Sequence, residues 1–124
     1  MKYIYIDGDN IGLKIEQSFL NNDEEKLKEI NLIVKMAIEN ITSYLISQKQ
    51  EIIFSGADGV ISKGFDIDLS DLLKNVRVAN TNLTFSIGVG NSLNDSYIAL
   101  RYAKSYNKNI AVILENEKYK TIKT

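Results

Sequence analysis

The chain contains no cysteine and no histidine. That double absence excludes thiol chemistry, imidazole bases, and zinc or iron held by Cys or His. Any bound metal must be gripped by oxygen, which points to Mg²⁺, Mn²⁺ or Ca²⁺. Net charge is also nearly missing, with 15 basic residues against 16 acidic ones and a formal total of −1. Such a balance leaves no footprint for tight, nonspecific binding of long nucleic acid, so none is expected as a partner. Long apolar runs are absent too. The best candidate, around Ile110 to Leu114, is far too short to span a membrane, so no membrane insertion is expected. Met1-Lys2 leads directly into a strand-like run, which leaves no room for a signal peptide. The expected location is cytoplasmic.

What is present is enough for a core. With 124 residues and 44% hydrophobic side chains, residues 1–124 are expected to form a single domain that needs no disulfide or structural zinc. Residues 2–7 read as a strand with Ile4 and Ile6 on one face and Tyr3, Tyr5 and Asp7 on the other. Residues 8–22 read as a loop with a short helical turn near Ile15 to Leu20. A long helix follows from about Glu24 to Lys49, opened by an Asn22/Glu25 capping box. Residues 51–55 and 60–64 form a hairpin, and Asp68 with Asp71 opens a short helix. A strand at 82–89 comes next, then a helix capped by Ser92 and Asp95 with Leu93, Tyr97, Leu100 and Ala103 inward. Residues 109–114 supply the last strand. The order β-α-β-β-α-β-α-β predicts an α+β, ferredoxin-like (RRM-like) fold: an antiparallel-rich sheet with helices on the Ile4/Ile6 face, plus an added helix and edge strand. The opposite face would carry Thr84, Ser86 and Gly88, a shallow strip for a base or phosphates.

Two acidic turns carry the chemistry: Ile6-Asp7-Gly8-Asp9-Asn10 and Ser55-Gly56-Ala57-Asp58-Gly59, each released from a short apolar strand. Asp-Gly is ordinary turn material on its own. Jointly the turns mean more, because the first strand and the hairpin would be neighbours. Asp7 and Asp58 could then share metal across the sheet, relieving their mutual repulsion. Tyr3 and Tyr5 could stack RNA bases, but no RNP-like Lys/Arg-Gly-Phe stretch follows and no basic surface supports them.

These turns resemble those of the GGDEF and CRISPR-polymerase palm superfamily, and most of all its minimal CRISPR polymerase (mCpol) branch. Asp7-Gly8-Asp9-Asn10-Ile11 is similar to the Asp-x-Asp-x-Phe start of a GGDEF domain, and Gly56-Ala57-Asp58-Gly59 sits where its Gly-Gly-Asp-Glu hairpin falls. Ser86-Ile87-Gly88-Val89-Gly90 resembles the following strand. Ala99-Leu100-Arg101-Tyr102-Ala103-Lys104, with Asn107-Lys108-Asn109, resembles the closing helix. The resemblance implies a palm-domain nucleotidyltransferase with two Mg²⁺ or Mn²⁺ ions held by Asp7, Asp58 and the Gly8 carbonyl. It implies that Gly8, Asp9, Asn10, Ile11, Gly12, Gly56 and Ala57 line the nucleotide, that the amides of Asn10, Ile11 and Gly12 hold terminal phosphates, and that Lys104 reaches them. Arg101 is a weaker phosphate candidate, Lys108 reads as surface, and Asp9 as a residue orienting the loop. The implied product is a cyclic di- or short oligonucleotide made from ribonucleoside triphosphates, ATP by analogy, by two facing protomers. A separate effector would read it in bacterial anti-phage defence.

The chain departs from the pattern at Ala57 and Gly59, which replace the second glycine and the second acid. It also lacks an Arg-x-x-Asp inhibitory site, since Lys49-Gln50-Glu51 stands there. Three alternatives follow. Tyr5 to Ile11 also resembles the opening of NYN/PIN-type metal-dependent nucleases, whose sheet is parallel. A palm enzyme hydrolysing GTP would use the same acids. A catalytically silent nucleotide sensor would carry Gly59 as its mark.

Overall fold

The computed structural model describes residues 1–79 and 82–123. A six-stranded sheet runs in the order β2-β3-β1-β4-β5-β6, from strands β1 (Lys2–Gly8), β2 (Glu51–Gly56), β3 (Gly59–Gly64), β4 (Phe85–Gly90), β5 (Ala111–Glu115) and β6 (Lys118–Ile122). The helices are α1 (Ile11–Leu20), α2 (Glu24–Ser47), α3 (Leu69–Ala79) and α4 (Leu93–Tyr106). β1 pairs antiparallel with both β3 and β4, and only the β4–β5 pair is parallel. This is the expected α+β, ferredoxin-like arrangement. Antiparallel neighbours on both sides of β1 are incompatible with the parallel sheet of an NYN/PIN-type nuclease.

The alternation of β1 decides what each face does. Ile4 and Ile6 are buried and pack with Phe85, Ile87 and Val89 of β4, with Leu72, Leu73 and Val76 of α3, and with the α2 stripe Ile30, Val34, Ile38, Ile41 and Leu45. Each such side chain contributes about 2 kcal/mol on leaving water. The other face is half covered. Gly88 and Gly90 let the α4 backbone lie directly on β4, where a Cβ at Gly88 would overlap Leu100 N and Ser96 O. The small-residue strip therefore seats a helix rather than presenting a platform. Below α4, Ala99, Ala103, Ile110, Val112 and Leu114 form a second, smaller core.

Several local expectations change. Residues 11–20 are a full helix rather than a loop with one turn, since Ile11 is buried in the main core and Ile15 packs against it. The N-cap of α2 is Asp23, whose side chain accepts from Lys26 N at 2.9 Å, while Asn22 takes a left-handed φ of 50°. The Ser92 cap on Asp95 N and the Asp68 bond to Asp71 N are present. Leu93 and Tyr97 point outward, 51% and 48% exposed, because the α4 face resting on glycine is set by Ser96, Leu100 and Ala103. β4 begins at Phe85, and β6 adds an edge strand that periodicity did not reveal.

Candidate active site

The two acidic turns meet. Asp7 lies opposite Gly59 in the β1–β3 register, and Gly8 N donates to the Asp58 carbonyl at 2.9 Å. The turn between β2 and β3 places Ala57 at φ 50°, where a family glycine would be unstrained. Gly59 stands so close to the acid that a Cβ there would sit 3.0 Å from Asp7 Oδ1. The Asp7 carboxyl has its pKa raised, chiefly by burial; Lys104 opposes the shift and Asp58 adds to it. Burial, then Asp7 and Asp58, push the Tyr5 hydroxyl up as well.

Lys104 reaches this turn from α4. Its ammonium donates to the Gly8 carbonyl at 2.6 Å and lies 3.2 Å from Asp7 Oδ2 and 3.0 Å from Asp9 Oδ1. Asp9 differs from Asp7. It is 2% exposed and accepts from Thr84 Oγ1 at 2.8 Å, Ser86 Oγ at 2.7 Å and the Asn109 backbone N at 3.0 Å. Its carboxylate ties the turn to β4 and to the loop after α4, in keeping with a loop-orienting role. Asn10 opens α1 at φ 61° with no side-chain cap on the first-turn amides, and its Oδ1 accepts from Lys108 Nζ at 2.7 Å. Uncapped amides at a helix N-terminus form a natural seat for phosphate.

Two clefts flank the acids. One, of about 570 Å³, is lined by Ile11, Gly12, Ile15, Leu27, Asn31, Ala57 and Asp58 and lies between α1 and α2. The other, of about 760 Å³, has Asp7 on its wall and lies between Tyr5 and α4. Of the residues singled out in the sequence, Asp7, Gly8, Asp9, Asn10 and Lys104 converge on one turn, with Asp58 beside them. Ile11, Gly12 and Ala57 line the first cleft, while Gly56 ends β2 at the turn, with Phe54 beside it. Sequence reasoning missed Asn31, Tyr97 and the involvement of Lys108. Lys108 lies past the end of α4 at φ 54°, so helical spacing gave no sign of its reach to Asn10.

Among the described residues no three acidic side chains gather into a ready-made metal site. The available donors are two carboxylates and a backbone carbonyl, all hard oxygens suited to Mg²⁺ or Mn²⁺. The Lys104 ammonium already selects that oxygen cluster as a place for positive charge.

Fold and site together define a palm-type, nucleotidyltransferase-like domain. Two solved structures share the fold. A diguanylate cyclase/phosphodiesterase from Caldicellulosiruptor saccharolyticus aligns at 17% identity over 96% of this chain and 78% of its own, with a TM-score of 0.61. The adenylyl cyclase CyaB from P. aeruginosa aligns at 9% identity over 94% of this chain and 76% of its own, with a TM-score of 0.59. No curated protein matches by sequence. Residues 3–114 match the minimal CRISPR polymerase domain, and the chain belongs to that family, mCpol. No helix among the described residues is long and apolar enough to cross a membrane.

Proposed function

We propose that this protein is a metal-dependent nucleotidyltransferase that joins ribonucleoside triphosphates, ATP by family analogy, into a cyclic di- or short oligonucleotide signal in bacterial anti-phage defence. The observation that carries the reading is the convergence of Asp7, Asp58 and the Gly8 carbonyl at the uncapped start of α1, with Lys104 facing them. Two Mg²⁺ or Mn²⁺ ions held by these oxygens would lower the pKa of the attacking ribose hydroxyl and neutralise the triphosphate. The amides of Ile11 and Gly12 bind the terminal phosphates. Lys104 swings from the Gly8 carbonyl to the phosphates and balances charge as pyrophosphate leaves. The base enters the apolar cleft between α1 and α2, where the Asn31 amide offers both a donor and an acceptor. Two protomers facing each other, cytoplasmic location and a separate effector belong to the same reading.

A silent nucleotide sensor is the second reading. Its support is Gly59, which leaves the position facing Asp7 without a carboxylate. Incubating the protein with Mg²⁺ or Mn²⁺ and each ribonucleoside triphosphate, alone and mixed, and identifying products by mass spectrometry separates the two. An oligonucleotide lost in Asp7→Ala and Asp58→Ala supports the transferase. Free nucleoside di- or monophosphate points to hydrolysis, and tightly bound but intact triphosphate to the sensor.

A further inference from the structure

Asp9, the carboxylate that ties the acidic turn together, is anchored from two directions. Lys104 reaches it from α4, and the Asn109 backbone N–H reaches it from the loop before β5. Asn109 is itself gripped from behind by Arg77, in the last turn of α3, which packs on the Ile4/Ile6 face of the sheet. Arg77 Nε donates to Asn109 Oδ1 at 3.2 Å, and Nη2 donates to the Asn109 carbonyl at 2.6 Å. We propose that Arg77 is a positioning residue for nucleotidyl transfer: by clamping Asn109 it fixes Asp9, and through Asp9 it holds the Lys104 ammonium at the Gly8 carbonyl. This inference rests on the transferase reading above.

Three observations support it. First, conformation: Lys108 and Asn109 both take a left-handed φ, 54° and 51°. Asparagine tolerates that region and lysine does so poorly, so two such residues in succession persist only where their neighbours hold them. Second, direction: Arg77 takes both oxygens of Asn109, while its backbone N–H points the other way, at Asp9 Oδ2 (3.0 Å) and Ser86 Oγ (3.1 Å). The other carboxylate oxygen, Asp9 Oδ1, lies 3.0 Å from Lys104 Nζ, and Lys104 donates to the Gly8 carbonyl at 2.6 Å. The contacts therefore run unbroken from α3 to the acidic turn. Third, chemistry: Arg77 forms no ion pair among the described residues, and its fork grips a neutral residue instead. Two donors fixed in one plane can meet a side-chain and a main-chain oxygen together, which the point charge of a lysine cannot. Arg77 lines neither cleft beside the acids. Its loss should therefore spare triphosphate binding and slow the step that needs Lys104 in place.

Two substitutions test the clamp. Arg77→Met keeps an apolar stem and removes both donors, whereas Arg77→Lys keeps the charge and one donor. On the full-length chain, kcat and KM for oligonucleotide synthesis from ribonucleoside triphosphates and Mg²⁺ are measured beside hydrogen exchange of the Asn109 amide by NMR. Arg77→Met should lower kcat about tenfold, the scale of losing a residue that orients another, with KM within about twofold of the wild type. Its Asn109 amide should exchange roughly tenfold faster while the Val112 amide in β5 keeps its rate, since only the clamped loop has loosened. Arg77→Lys should fall between the two in both readouts, and it decides alone should Arg77→Met not fold. A variant with the kcat of the wild type overturns the inference. So does one whose Asn109 and Val112 amides speed up together, which would make Arg77 a support of the fold only. A wild type that makes no oligonucleotide overturns the transferase reading and this role with it.

Discussion

The Asp7 carboxyl is raised in pKa by burial and by Asp58, and only Lys104 among its strong neighbours pulls the other way. A carboxyl raised above its unfolded value favours the folded state while protonated. That contribution is complete below the ordinary value of 3.8 and is lost as pH rises through the raised one. At neutral pH the ionised acid is therefore a net cost to the fold. Asp7→Asn should raise the melting temperature at pH 7 without divalent ions, with the gain shrinking as the pH falls towards 4. Thermal denaturation across pH, read by circular dichroism, checks this, and the same variant should make no oligonucleotide. Mg²⁺ should raise the melting temperature of the wild type more than that of Asp7→Asn. Asp9 behaves oppositely. Its three hydrogen bonds and its contact with Lys104 leave no oxygen unsatisfied. Asp9→Ala strands buried donors and should destabilise the protein by about 3 kcal/mol in urea unfolding, with Asp9→Asn intermediate.

At the scale of elements, α4 holds the site because β4 lets it come close. Gly88→Ala would place a methyl inside Leu100 N and Ser96 O, both backbone atoms that cannot rotate aside. The expected loss is about 3 kcal/mol of unfolding free energy in urea, the upper end for overpacking. Activity should fall further than stability explains, because lifting α4 withdraws Lys104 from Gly8. The contrast shows what the sequence could and could not convey. The alternation of Ile4 and Ile6 with Tyr3, Tyr5 and Asp7 specified β1 and its two faces, and the α2 stripe specified its partner. The pairing of the two acidic turns was legible from the order of elements. The seat of α4 was not, since Gly88 reads equally as open platform or close contact, and only the helix backbone decides. Helix α1 was hidden because its outer residues Leu13, Phe19 and Leu20 are exposed and blur the periodicity. β6 was hidden because Lys118-Tyr119-Lys120 is an exposed edge whose pairing depends on β5 alone.

Across the whole molecule, stability should be graded along the sheet. β1 and β4 are bonded on both sides and carry the main core, whereas β6 has one neighbour and a largely exposed surface. Native-state hydrogen exchange should show β1 and β4 amides opening only with global unfolding, and β6 amides protected roughly a hundredfold less or weaker still. The same layout governs when the site can exist. β1 precedes every element that holds it, yet the Asp9 carboxylate is fixed by the Asn109 amide, 100 residues later, and the Gly8 carbonyl by Lys104, 96 residues later. On a ribosome adding roughly 5–20 residues per second, that delay is about 5–20 s. Through that interval the nascent chain carries its acids on an unfinished strand, with no cation opposite them. A nascent chain that stops short of Asn109 lacks the contacts that fix this turn, so the turn takes its folded form only after that residue has emerged.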